Sequence, residues 1–346
     1  MSLINLFKKK SKISLFTTPS HSQKFFIFSK LRNFYKCDIS ETDAHNPQEA
    51  LDAAQKKASG IYKTKSTHFL TNGSTSGVIA AVLACVNKGE KVLIWDNAHP
   101  SHSNAVKLAC ATPVFYDLQK DETWGVYIQA DLQVLEAKLK SEKIAALIVT
   151  SPSYEGIVSD IAKIKEICKK HGAYLIVDEA HGALYPFCNM LPASAIYSGA
   201  DFVIQSLHKT AGGLNPTALL HCNIDIDVKP AMDLIFTSSP SYPLLASIEK
   251  NINYLNSKKG RAEILKLVEN IENLKKNVPN CEFYSGNDVT KILVKSSKYS
   301  GFELSEYLFD KNIEDEKTNE KSTMLLCGIG TDTKKLKKLE QALKKC

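Results

Sequence analysis

Arginine is nearly absent from this chain of 346 residues: only Arg32 and Arg261 occur among its 44 basic side chains. A formal net charge of +7 is therefore carried by dispersed lysine, which solvates surfaces. Without an Arg-rich or aromatic-interleaved stripe, no nucleic-acid partner is expected. No stretch approaches the roughly 20 apolar residues that a membrane helix needs, and the lysines near the start precede no apolar run of the kind a secretory signal requires. The nine cysteines are odd in number and include no C-x-x-C pair, which argues against a disulfide framework or a zinc site and for reduced thiols in a cytoplasm. No internal repeat or low-complexity tract is present.

What is there is a long alternation of helix-like and strand-like segments. Residues 1 to about 45 read as an irregular arm whose strongly apolar patch is Phe25-Phe26-Ile27-Phe28. From Gln48 to Tyr62 the pattern is helical. Thr67–Thr71 is a short strand, Ser76 to Asn87 a helix, and Lys91 to Trp95 a buried strand. Ile144–Val149 is a continuous apolar run, as in a parallel strand covered on both faces. It is followed by a helix from Asp160 to His171 and by strands at Tyr174–Asp178, Phe202–Gln205 and Thr217–His221. This order predicts an α/β domain over residues 46–243 with a mainly parallel central sheet and helices on both faces. Ligands should bind at the carboxyl ends of its strands. One Lys-rich helix from Leu244 to Val278 then leads into a smaller α+β domain, completing a third region, 244–346.

Two strand ends carry the chemistry. Tyr174–Val177 stops on Asp178, and Phe202–Gln205 runs into Ser206-Leu207-His208-Lys209-Thr210. An amine and a carboxylate one βαβ step apart suit the two ends of pyridoxal 5'-phosphate (PLP). Lys209 would hold the aldehyde as a Schiff base, and Asp178 would keep the pyridine nitrogen protonated. Glu179 reads as structural, whereas His181 could face the cofactor's phenolic oxygen or the substrate. A metal reading of Asp178-Glu179-Ala180-His181 lacks further ligands at suitable spacing. Thr71-Asn72-Gly73-Ser74-Thr75-Ser76-Gly77, between a strand and a helix, suits a phosphate cup, with Gly73, Ser74 and Thr75 as its donors. A plain helix cap by Ser74 or Thr75 explains the same residues. His99 follows the strand that ends at Trp95, where an imidazole could stack on a flat ring; His102 reads as supporting structure.

Five ordered segments, Leu70–Gly77, Thr150–Gly156, Val177–Ala183, Gln205–Thr210 and Thr237–Tyr242, together resemble the major domain of the Orn/Lys/Arg decarboxylase family, which belongs to the fold type I PLP-dependent enzymes. The resemblance implies that Lys209 is the PLP lysine, that Asp178 pairs with the ring nitrogen and that His99 stacks on the ring. It also implies that Ser74, Thr75, Ser206 and His208 surround the phosphate, and that Ser239 and Tyr242 reach the cofactor of a neighbouring subunit in a homodimer. The chain departs from the family at Pro19-Ser20-His21-Ser22-Gln23, in the shortened loop Asp38–His45, at Pro100, and in stopping short of the extra C-terminal domain of longer members.

The expected activity is decarboxylation of ornithine, lysine or arginine, with Glu41, Asp43 or Glu316 as candidate partners for the substrate's side-chain cation. An aminotransferase or another lyase on the same fold is the alternative. The absence of arginine between Ala262 and Cys346 disfavours it, because transaminases of this type clamp the α-carboxylate with a guanidinium fork. A non-catalytic relative would have no use for Lys209 and Asp178 together.

Overall fold

The computed structural model describes residues 2–11, 32–39, 49–286 and 288–346. The Phe25–Phe28 patch, the Pro19–Gln23 segment, Glu41 and Asp43 lie outside them.

Among the described residues, thirteen strands follow in chain order. They are β1 (Ser66–Leu70), β2 (Lys91–Trp95), β3 (Thr112–Tyr116), β4 (Lys120–Asp121), β5 (Val126–Tyr127), β6 (Ile144–Thr150), β7 (Tyr174–Asp178), β8 (Phe202–Ser206), β9 (Ala218–Cys222), β10 (Cys281–Phe283), β11 (Lys291–Ser296), β12 (Lys317–Thr318) and β13 (Thr323–Leu326). Seven form the central sheet in the order β1-β9-β8-β7-β6-β2-β3. All of them run the same way except β9, which is antiparallel to both its neighbours. The sheet is therefore the mainly parallel one expected from the sequence.

Alternation along each strand explains the layers. In β7, Leu175 and Val177 enter one apolar cluster while Ile176 enters the other; in β6, Leu147 and Val149 oppose Ala146 and Ile148; in β2, Leu93 and Trp95 oppose Val92 and Ile94. Successive side chains leave opposite faces of a strand, so a sheet covered on both sides needs apolar residues at every position. Gly73–Cys85, Pro100–Leu108 and Lys229–Ile235 cover one face. Glu49–Tyr62, Leu132–Ser141, Ile161–Lys170 and Tyr242–Leu255 cover the other. Each aliphatic side chain fully buried between these layers contributes roughly 1.5–3 kcal/mol.

Four strands form a second, antiparallel sheet in the order β10-β11-β13-β12, covered by Gly301–Asp310 and Thr333–Leu343. Its core is separate, and the helix Lys258–Asn277 serves both: Ile264 and Val268 join the large core, whereas Leu267, Ile271 and Leu274 join the small one.

Three expectations are corrected. The single helix from Leu244 to Val278 is two, Tyr242–Leu255 and Lys258–Asn277. Ser257 ends the first by donating to the Tyr254 carbonyl (2.6 Å) and starts the second by accepting from the Gly260 amide (3.1 Å). At the reversal a Cβ on Gly260 would stand 2.1 Å from the Tyr254 carbonyl oxygen, so the close approach requires glycine. The first of these helices packs into the large core through Leu245, Ile248 and Ile252, so the packing divides within Lys258–Asn277 rather than before Leu244.

Second, the beginning of the chain is not an irregular arm throughout. Leu3–Lys10 is a helix whose Leu3, Leu6 and Phe7, at helical spacing, are buried in the large core, and the Leu3 amide donates to the Glu249 carboxylate (2.9 Å). Arg32–Cys37 is also helical. Third, the helix after β1 starts at Gly73 rather than Ser76, which puts Ser74 and Thr75 in its first turn.

Candidate active site

Because β1, β2, β6, β7 and β8 run the same way, their carboxyl ends meet along one edge of the sheet. A cavity of about 700 Å³ opens there, lined by Gly73, Ser74 and Thr75 after β1, His99 after β2, Thr150 and Tyr154 from β6 onward, Asp178 and His181 from β7 onward, and His208 and Lys209 after β8. Eight side chains or backbone positions singled out in the sequence thus share one cavity: Gly73, Ser74, Thr75, His99, Asp178, His181, His208 and Lys209.

Asp178 closes β7 opposite Thr150 of β6, almost fully buried. One of its oxygens pairs with His102 Nε2 (3.0 Å), the other accepts the Ala180 amide (3.1 Å). Burial opposes its ionisation, but the His102 hydrogen bond and charge, Lys209 and the Ala180 N–H together hold its pKa below the ordinary aspartate value. An ionised Asp178 fixes His102 as the tautomer that donates from Nε2. His102, expected only to support structure, is thus the group that orients this carboxylate; its position on the inward face of Pro100–Leu108, three residues past His99, was the available signal.

Lys209 extends from the short helix Leu207–Thr210 that continues β8, and its Nζ lies 3.1 Å from His181 Nε2. Burial lowers its pKa from the ordinary lysine value; Asp178 and Glu316 pull it back, and Lys291 pushes it down. The amine is thereby made available unprotonated to a larger degree than a surface lysine. Burial also pushes His181 well below the ordinary histidine value, with the positive charges of Lys209 and Lys291 adding to the effect. His181 is therefore neutral. Its other ring nitrogen, Nδ1, is buried without a hydrogen-bond partner among the described residues, and the ring of Tyr154 lies against it, centroids 4.6 Å apart.

His99 caps the helix Pro100–Leu108, its Nδ1 accepting the Ser101 amide (3.2 Å), which fixes the ring at the cavity wall. Burial lowers its pKa despite Asp178. His208 uses Nδ1 to donate to the Thr217 carbonyl (3.2 Å). Asn72, not Ser74 or Thr75, is the capping residue of Gly73–Cys85, and it makes no side-chain capping bond. The plain-cap explanation of Ser74 and Thr75 therefore does not hold. Gly73 (φ +78°) makes the turn that brings these residues to the cavity. Ser206 is fully buried with its hydroxyl unpartnered among the described residues, as is the Thr150 hydroxyl. An uncapped helix start, a lysine amine and the unpartnered Thr150 hydroxyl in the cavity wall suit a phosphate-bearing, aldehyde-bearing ring; the residues present fit such a group.

Three expected residues do not line the cavity: Ser206, buried at the end of β8, and Ser239 and Tyr242. Ser239 is exposed, bonded to Thr237 (3.1 Å). Tyr242 is fully buried in the large core and offers no surface to a neighbour. Glu179 is structural as expected: its carboxylate accepts from Ser194 (2.6 Å), the Ala195 amide (2.7 Å) and Gln205 (2.6 Å), tying down the loop after β7. The small sheet contributes Lys317, which the sequence did not point to. Lys317 of β12 lines the cavity and bonds Glu155 (2.7 Å), and Lys291 of β11 donates to the His181 carbonyl (2.7 Å) and forms a fully buried pair with Asp288 (2.6 Å). Tyr185 also donates to Asp288 (2.8 Å). Among the described residues no cluster of side chains could hold a metal ion, and no helix is long and apolar enough to cross a membrane.

Residues 16–294 match the family described as Orn/Lys/Arg decarboxylase, major domain. The chain belongs to this family. Among relatives, the uncharacterized protein YaaO of Bacillus subtilis is 29% identical over 91% of this chain and 71% of its own length. An arginine decarboxylase of Halalkalibacterium halodurans is 31% identical over 60% of this chain and 43% of its own. The chain thus spans less than half the length of that enzyme. Among solved structures, the lysine decarboxylase of Francisella novicida superposes with a TM-score of 0.87 at 19% identity, covering 99% of this chain and 59% of that one. The family member has the fold type I architecture of that enzyme.

Proposed function

We propose that this chain is a PLP-dependent decarboxylase acting on a basic amino acid. The observation that carries the reading is that Lys209 and Asp178 line one cavity at neighbouring strand ends, each already biased toward the ionisation state the chemistry needs. Side chains facing unrelated cavities would have ended it. Lys209, Asp178, His99, His181, His208, Gly73, Ser74 and Thr75 are the residues we assign to holding the cofactor. Bound there, PLP would supply an electrophilic aldehyde and a protonated ring able to accept the electron pair left when a carboxylate departs.

The chain's own residues do the rest. Asp178, kept ionised by His102 and the Ala180 amide, would hold a proton on the ring nitrogen. Lys209, partly relieved of its proton, is a nucleophile, and His181 beside it can exchange a proton with it. His99, kept neutral, offers a flat face without a competing charge. Arg261 donates to the Phe187 carbonyl (3.3 Å) and to Asn256 (2.9 Å), so it is committed elsewhere and supplies no carboxylate clamp of the transaminase kind. A homodimer is also proposed, with Ser239 as the residue exposed for it; sedimentation velocity showing a monomer at assay concentration would remove Ser239 from the site.

The test begins with purified protein and added PLP. Visible absorbance should appear and should be abolished by Lys209→Ala. Incubation with ornithine, lysine and arginine should then release CO2 from at least one, and keto acid without CO2 would replace the decarboxylase with an aminotransferase.

A further inference from the structure

We propose that Glu155 is the specificity-determining residue of this site: its carboxylate receives the side-chain cation of the substrate, and Lys317 holds the place until the substrate arrives. The inference rests on the decarboxylase reading above.

Glu155 lines the same cavity as Lys209 and is 7% exposed. Its turn is rigid. The Ser153 amide donates to the Ile157 carbonyl (2.9 Å), the Gly156 amide to the Ser153 carbonyl (3.0 Å), and the Ile157 amide to the Ser153 hydroxyl (3.2 Å). That hydroxyl donates to one carboxylate oxygen of Glu155 (3.0 Å), and the Lys317 ammonium donates to the other (2.7 Å). A pre-oriented, nearly buried carboxylate facing a cavity is built to recognise an alkylammonium or guanidinium, and an alkylammonium already sits on it.

Lys317 is the replaceable member of the pair. It comes from a two-residue edge strand, and its side chain is half exposed (50%) against 10% for Glu155. An ion pair with one such partner contributes little, about 0–1 kcal/mol, so displacing it costs little. The ring of Tyr154 relates this position to the reacting one. Lys209 Nζ lies 5.5 Å from its centroid and Lys317 Nζ 5.0 Å from the same centroid. An amino acid whose α-nitrogen takes the place of the Lys209 amine therefore finds, beside the same aromatic ring, a carboxylate for its terminal cation. Glu316, the acidic residue considered from the sequence, is exposed, does not line the cavity, and acts on Lys209 only through its charge.

The competing role for Glu155 is a mere tie that holds the small sheet through Lys317, and the two roles demand opposite responses. With the cofactor-loaded protein, titration calorimetry would compare 1,5-diaminopentane with 1-aminopentane, and lysine decarboxylation would be followed in parallel. Glu155→Gln should weaken the diamine and raise the KM for lysine by on the order of tenfold, leaving the monoamine within about twofold. Lys317→Gln, at an exposed position that does not threaten folding, should tighten the diamine several-fold by removing its competitor. Glu155→Asp, which keeps the charge, should recover part of the diamine preference. If Lys317→Gln and Glu155→Gln weaken both amines alike, or if Glu155→Gln keeps the diamine preference, the inference is overturned. A wild type that takes up no PLP and releases no CO2 defeats the decarboxylase reading instead.

Discussion

The two walls of the cavity are made in different ways. On the large-sheet side, each working side chain stands where a parallel strand ends, and its neighbours in sequence determine its place: Asp178 closes β7, and Lys209 follows β8 by one helical turn. On the small-sheet side, Asp288, Lys291 and Lys317 matter through contacts with residues far away in the chain, from Lys291 to the His181 carbonyl and from Lys317 to Glu155. The first wall supplies the chemistry. The second fixes its position, and it does so with a fully buried ion pair, an arrangement that is costly unless every partner is present.

That contrast can be broken by experiment. Asp178→Asn should lower decarboxylation about a thousandfold, on the order of 4 kcal/mol of transition-state stabilisation, with little change in the denaturation midpoint. A large loss of stability with activity retained would exchange the roles of the two walls. Lys291→Met should do the reverse, leaving Asp288 charged and unpaired in the core and costing about 3–5 kcal/mol in chemical denaturation. Adding Asp288→Asn should restore part of that loss, and a Lys291→Met protein as stable as wild type would show that the buried pair is not what holds the small sheet to the site.

The smallest effect sharpens the comparison through pH. His221 on β9 is fully buried between Thr67 (2.9 Å) and Gln205 (3.3 Å), and burial pushes its pKa down to about 3. The unfolded chain takes up a proton near the ordinary value of about 6.5, the folded chain does not, so the contribution of His221 is complete above about pH 6.5 and is lost as pH falls toward 3. The slope from this one group is at most about 1.4 kcal/mol per pH unit. His221→Gln should flatten the acid limb of the stability profile in this window, and an unchanged limb would assign acid sensitivity to other groups.

Much of the first wall was legible. Continuous apolar runs marked the parallel strands, and the order of segments placed their ends together, so Lys209, Asp178, His99, His181 and the Gly73–Thr75 turn could be named from local signals. Residues 96 to 143, by contrast, hid β3, the β4–β5 hairpin and two helices, because β3 is partly exposed and β4 and β5 have only two residues each. The break between Leu255 and Lys258 was hidden as well, since Asn256-Ser257 is compatible with helix and only the reversal around Gly260 forces the stop. Tyr242 showed the converse error: a motif match says which residue type is present, but burial in the core decides whether that residue can reach a site.

Local covalent order sufficed to determine the sheet, the strand-end amine and carboxylate, and with them the cofactor chemistry proposed, because hydrophobic periodicity and chain direction act over a few residues at a time. Only the folded molecule decided that His102 grips Asp178, that Lys291 holds the His181 backbone, and that Glu155 faces an ammonium. These are contacts across 76, 110 and 162 positions of sequence, the first made by packing a helix on the central sheet and the other two by packing the small sheet's region against the large one, and no short-range pattern in the chain encodes the distance between such partners.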